Sequence, residues 1–228
     1  MNHISNYPQK TYEHPVVAVD VVVFTLIKNE LNVLLLELSE EPFSGIWALP
    51  GGLVTNNETL EESAHRHLAT KASIKNAYIE QLYTFGNPKR DPKGWVVSVA
   101  YMALLPEQIE DLKTIERYKS IAWHPVKSLP SLAYDHPEII KMGVKRLQGK
   151  LSYTNIVYTL LPEEFTLTEL QEVYESILGH ELDKRNFRKK IDSLDLVIKL
   201  DKKTKGGAHR PASLYRFKKM TPQEVEIL

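Results

Sequence analysis

The sequence contains no cysteine, which excludes disulfides and thiolate metal sites outright. No apolar run approaches the roughly 18 residues that a transmembrane helix needs. The first ten residues, Met1 to Lys10, are polar and lack the apolar core of a secretion signal. Net charge is absent too, because 29 lysines and arginines balance 29 aspartates and glutamates. Together these absences point to a soluble cytoplasmic protein. What is present suits that class: 43% hydrophobic residues in 228 give enough apolar surface for a sizeable core, in one large domain or two modest ones.

The zero net charge conceals an asymmetry. Lys184 to Lys219 carries thirteen basic residues against three acidic ones. Residues 1–183 carry sixteen basic residues against twenty-four acidic ones. A basic end on an acidic body implies a polyanionic partner for that end alone.

Along the chain, VVAVDVVVFTLI and LNVLLLEL read as two strands joined by a turn at Lys28-Asn29-Glu30. EPFSGIWALPGG follows as a loop punctuated by proline and glycine. Asn56 or Asn57 then suits the N-cap of a helix whose Leu60, Ala64, Leu68 and Ala72 form one buried stripe. YIEQLYTFG and WVVSVAYMALL read as strands around the charged loop NPKRDPKGW, and IAWHPVKSLP as a short strand and turn. A helix is expected from Pro137 to Lys150. Strands around one central helix form an α+β pattern over residues 1–150.

The texture changes after Tyr153. Leu167, Leu170, Val173, Tyr174 and Ile177 keep helical spacing up to a stop at Gly179. Asp183 opens a second helix, with Phe187, Ile191 and Leu194 on one face and a basic face opposite. VIKL and SLYRFKK then flank the basic loop DKKTKGGAHRPA. Helix, turn, basic helix and hairpin is the order of a winged helix, assigned to residues 151–228.

Gly52 to Ile74 resembles the Nudix box. Glu58 follows Gly52 after five residues, Arg66 follows after seven more, and Leu68 and Ile74 hold the aliphatic positions. The lead-in WALPGG, with Trp47, Gly51 and Gly52, also fits. This resemblance implies an α/β/α sandwich for residues 1–150. Three glutamates of the box are replaced, by His67, Thr70 and Lys71, and its late glycine by Ser73. Nudix hydrolases hold divalent metal over a diphosphate with those glutamates. Mg²⁺ demands hard anionic oxygens, and an imidazole, a hydroxyl and an ammonium on one helix face supply a poor set. No catalytic and no metal-binding residue is therefore assigned, although Glu58, Glu61 and Glu62 remain. The expectation is binding without turnover, with Arg66 among the ligand-binding residues and Lys71 either contacting the diphosphate directly or standing solvated on the helix.

Arg90 and Asp91, between prolines, are expected to be exposed on a loop that ends at Trp95. A cation and an aromatic plane suit phosphate and adenine; the alternative is a charged hairpin anchored by Trp95. His124 and His136, each before a proline, are read as structural. In the second helix, Lys184, Arg185, Asn186, Arg188 and Lys189 are placed to enter a major groove. The wing adds Lys203, Lys205, His209 and Arg210.

With WALPGG, the degenerate box, FGNPKRDPKGWVVSVAY, LDKRNFRKKI and GAHRPASLYRF in this order, the chain resembles the NrtR family of Nudix-related transcriptional regulators of NAD metabolism. That resemblance implies a homodimeric repressor of NAD-synthesis or salvage genes, a palindromic DNA operator, and ADP-ribose as the effector that releases DNA, with no cofactor. Two other readings stand beside it: an active ADP-ribose pyrophosphatase, and a regulator that senses a sugar such as arabinose.

Overall fold

The computed structural model describes residues 14–75, 77–106, 112, 118–204, 211–225 and 227. Strand β1 (Val16–Ile27) turns at Lys28-Asn29 into β2 (Glu30–Leu38). Both turn residues have positive φ, as a tight hairpin turn requires. The loop expected at EPFSGIWALPGG contains two very short strands, β3 (Trp47–Ala48) and β4 (Gly51–Leu53). Two or three residues are too few for a period-2 pattern to be visible. They pair with β2 and with the first half of β1, respectively.

Helix α1 (Leu60–Ala72) starts two to three residues later than a cap at Asn57 or Asn56 implies. Its N-cap is Thr59, because Glu62 three residues on completes a capping box: Glu62 N–H donates to Thr59 Oγ1 and Thr59 N–H donates to the Glu62 carboxylate. The helix ends at Ser73, left-handed at φ 58°. This is the position where the Nudix box has glycine, so the geometry that favours glycine survives without it.

Strands β5 (Tyr78–Phe85), β6 (Val96–Leu104) and β7 (Tyr118–Pro125) complete a seven-stranded mixed sheet. Its centre is the parallel pairing of β1 with β6, from Val16↔Val96 to Phe24↔Leu104. Alternation sorts the β1 side chains between two layers. Val19, Val21 and Val23 face Ala64, Leu68 and Ala72 of α1, whereas Val22, Phe24 and Leu26 belong to the core of the opposite face. That face is covered by α2 (His136–Tyr153). The domain boundary expected after residue 150 thus falls inside α2, whose Leu151 is fully buried and draws the helix on by one turn.

Beyond α2 come a single helical turn at Ile156–Thr159, α3 (Leu167–Leu178), α4 (Lys184–Leu194), and the hairpin β8 (Val197–Lys203) and β9 (Ser213–Phe217). Gly179 caps α3 in the left-handed conformation, and the Asp183 side chain caps α4 by accepting from Asn186 N–H. Phe187 and Ile191 of α4 pack with Tyr174 of α3 and Phe217 of β9 in the same continuous core as the α2 face of the sheet. The β1–β2 turn also meets α3: Asn29 Nδ2 donates to Glu172 at 2.9 Å, and Ser176 Oγ donates to the Asn29 carbonyl at 2.6 Å. No helix among the described residues is long and apolar enough to cross a membrane.

Candidate functional site

A cleft of about 720 Å³ opens beside the first half of β1, within the usual size of a ligand site. Its walls are β4, the box face of α1, the loop before β6, and the residues leading into α2. Of the residues expected to bind ligand, Gly51, Gly52, Arg66, Lys71, Arg90, Asp91 and Trp95 line it. Trp47 does not. Its side chain is half-buried against the core, with its ring 4.3 Å from that of His124. Alternation explains the miss, since β3 is short and its first residue points away from the cleft.

Both glycines are demanded by close approach. A Cβ on Gly51 would sit 2.3 Å from Asp20 Oδ1 and 2.4 Å from the Val19 carbonyl. A Cβ on Gly52 would sit 2.7 Å from the His67 ring and 3.2 Å from Lys71 Nζ. Strand β4 therefore lies directly on the box face of α1.

The floor is a buried ionic network. Arg90 was expected to be exposed; its side chain is 3% exposed. It donates through Nε and Nη2 to Asp135 at 2.8 and 2.6 Å, and through Nη2 to Asp20 at 3.0 Å. Asp20 also accepts from Ser98 Oγ at 2.6 Å and faces His136 Nε2 at 3.5 Å. Burial alone would push the Asp20 carboxyl up, but His136, Ser98 and Arg90 outweigh it and hold it well below the usual carboxylate range. His136 Nδ1 accepts the Leu49 N–H at 2.9 Å, which leaves the ring proton on the Nε2 that faces Asp20. His136 is structural, as read, and is also part of the cleft floor. Trp95, by contrast, is 41% exposed at the rim, as presentation to a ligand requires.

Sequence reasoning missed Asp20, Tyr134 and Asp135. An acidic residue inside a β-branched run was a usable signal for Asp20. Asp135 lies 45 residues from Arg90, and only the folded sheet brings them together. Tyr134 holds a left-handed backbone at φ 55°, and its ring lies 4.6 Å from Phe43 and 5.2 Å from His136.

On α1 the box residues are engaged in ways that do not suit a divalent metal. Glu58 receives Arg66 Nε and Nη2 at 2.7 and 2.6 Å and the Thr55 N–H at 2.8 Å. The Arg66 bonds, aided by Thr55, hold its carboxyl well below the usual range. Thr70 Oγ1 donates to the Arg66 carbonyl of its own helix. His67, 5% exposed, contacts the Leu53 carbonyl through Nε2 at 3.2 Å. Burial and the nearby Lys71 ammonium push its pKa down to about 4. Lys71 Nζ donates to the Gly51 carbonyl and lies 5.4 Å from the Tyr118 ring centroid. Among the described residues, no three histidines, aspartates or glutamates converge as metal ligands. The donor set at the three box positions is cationic or neutral, so the metal that a Nudix site uses does not fit here.

The second region is the start of α4. Lys184, Arg185, Asn186 and Arg188 surround a shallow open depression there, and Lys189 and, on β8, Lys203 are exposed. Arg188 is less free than expected: it is half-buried and donates to Thr168 Oγ1 of α3 at 3.2 Å. Lys205, His209 and Arg210 lie outside the described residues.

Comparison with known proteins divides the chain in the same way. Residues 14–142 match the NUDIX domain family, and residues 157–217 match the NrtR DNA-binding winged helix domain. The chain is 37% identical over 218 residues to the ADPR responsive transcriptional repressor NtrR of Acinetobacter baylyi, covering 94% of this chain and 86% of the relative. It is 34% identical over 132 residues to an ADP-ribose pyrophosphatase of Methanocaldococcus jannaschii, covering 58% and 75%. Shewanella oneidensis NrtR complexed with a 27mer DNA superimposes with a TM-score of 0.76 at 38% identity, over 89% of this chain and 93% of that one. The NUDIX domain of the same protein complexed with ADP ribose gives 0.55 at 38% identity, over 64% and 99%.

Proposed function

The chain belongs to the NrtR family, a Nudix domain joined to an NrtR-type winged helix, and from that premise we propose that it is a transcriptional repressor whose DNA grip is released by ADP-ribose. The observation that carries this reading is the pairing, in one chain, of a nucleotide-sized cleft whose box positions 67, 70 and 71 carry no carboxylate and an exposed basic helix. The cleft binds ADP-ribose without hydrolysing it. Trp95 offers a plane to the base, and the α1 face meets the diphosphate. The α4 face reads the major groove through Arg185 and Asn186, and its lysines meet phosphates. Two copies of the chain place two α4 helices on a palindromic operator, and the genes controlled are those of NAD synthesis or salvage. The cytoplasm is where this occurs.

Ligand acts only if it prefers one arrangement of the two domains. Helix α2 is the element that can carry such a preference. It begins at the cleft with His136, just after the cleft residue Tyr134 and the cap Asp135 that holds Arg90, and near its other end Gln148 Nε2 donates to the Ile177 carbonyl of α3 at 3.0 Å.

The likeness to a pyrophosphatase favours hydrolysis as a second reading; the donor chemistry at residues 67, 70 and 71 weighs against it. A thermal-shift panel identifies the effector, because a ligand of the native state raises apparent stability, and an assay for AMP separates sensing from hydrolysis. ADP-ribose should stabilise the protein and displace a duplex that the protein itself has selected from a random pool. Stabilisation by arabinose instead would replace the effector.

A further inference from the structure

Resting on the reading of the cleft as a nucleoside-diphosphate site, we propose that Lys71 stands in for the divalent metal: its ammonium binds the ligand's diphosphate directly and makes binding independent of metal. Lys71 occupies the second place of the box's glutamate pair, on the face of α1 that lines the cleft. Where the hydrolases present an anion to capture a cation, this chain presents the cation itself.

Local geometry holds that cation at the cleft wall. Lys71 Nζ is anchored by the Gly51 carbonyl and faced by the Tyr118 ring. An ammonium has three N–H donors, so a phosphate oxygen can be accepted beside the carbonyl. The absence of a side chain at Gly52 keeps space next to Nζ, since a Cβ there would lie 3.2 Å from it and overlap His67. Lys93 also lines the cleft, exposed on the loop before β6, while the two arginines there are engaged by carboxylates. Arg66 is chelated by Glu58, and Arg90 by Asp20 and Asp135. Thr70 has its hydroxyl on the helix backbone. Lys71 is the box residue whose chemistry matches a diphosphate.

The exchange also has a functional logic. A metal in a hydrolase gathers charge in the transition state and supplies a nucleophile. A single ammonium stabilises the bound diphosphate and supplies no nucleophile. A sensor needs the first property and not the second.

The test is calorimetric titration of ADP-ribose into the full-length protein, once in EDTA and once in Mg²⁺, with thermal melts confirming that each variant is folded. The wild type should bind equally in both buffers. Lys71→Met should bind about 10- to 100-fold more weakly, the loss expected for a hydrogen bond between charged groups. Lys71→Arg should restore binding. Lys71→Glu should bind poorly in EDTA and recover in Mg²⁺. If Lys71→Met fails to fold, the contrast between Lys71→Arg and Lys71→Glu decides alone. Wild-type affinity in Lys71→Met, or equal affinities of Lys71→Arg and Lys71→Glu in EDTA, would overturn the inference and leave the ligand standing. A wild type that needs Mg²⁺ would overturn it too. A wild type that binds no ADP-ribose in either buffer would overturn the ligand reading, and the inference with it.

Discussion

Arg90 and Arg185 are both arginines beside the start of a regular element, and the fold treats them in opposite ways. Arg90 is sealed between two aspartates, on a loop held down onto β1 and the start of α2. Arg185 stands in solvent on the first turn of α4. Removing a guanidinium from water is costly, and only well-aligned carboxylates offset that cost. The reward at Arg90 is positional: one side chain fixes the cleft floor to the helix that leads to the second domain. At Arg185 the charge is left to water, so a polyanion can take the place of the counterions. The two arginines thus differ: Arg90 holds the shape of the cleft, and Arg185 stays exposed, where a polyanion can reach it.

Removing each charge in turn should affect the two arginines' surroundings in different ways. Arg90→Met leaves Asp20 and Asp135 buried and unpartnered by it, and should lower unfolding free energy by about 3–5 kcal/mol in urea titrations. Arg185→Ala with Lys189→Ala should change stability by no more than about 0.5 kcal/mol, since both side chains are exposed. The same pair should weaken DNA binding by about 1–3 kcal/mol and flatten its salt dependence, read by fluorescence anisotropy at several salt concentrations. If Arg90→Met were as stable as the wild type, the cleft floor would not be the scaffold described here.

A smaller effect sharpens the contrast on the box face. His67 has a native pKa of about 4 against an ordinary value of 6.5. Between those values the unfolded chain takes up a proton that the native state refuses. Stability is therefore fully present above pH 6.5 and declines as pH falls toward 4. His67→Gln should flatten that part of the melting-temperature profile, whereas exposed Lys189→Gln should leave it unaltered.

Much of this architecture is legible in the sequence, for reasons that differ by element. In β1 the buried residues on both faces are apolar save Asp20 and Thr25, so its run stands out, and Asp20 marks the cleft. The stripe of Leu60, Ala64, Leu68 and Ala72 fixes α1 because its spacing is local. The basic face of α4 is legible because Phe187 and Ile191 define the opposite face. What is not legible depends on contacts between distant residues. Nothing near Arg90 in the chain announces Asp135, so an interior arginine reads as an exposed one. Trp47 belongs to a motif whose spacing is clear, but a two-residue strand does not reveal which way its first side chain points.

Ligand binding without metal chemistry is expected to release DNA. The most direct measurement adds ADP-ribose, in EDTA, to the full-length protein bound to a fluorescent duplex that it has itself selected, and then assays the mixture for AMP. The account predicts that anisotropy falls to the value of free DNA while no AMP forms. Release that requires Mg²⁺ and proceeds only as AMP accumulates would contradict it.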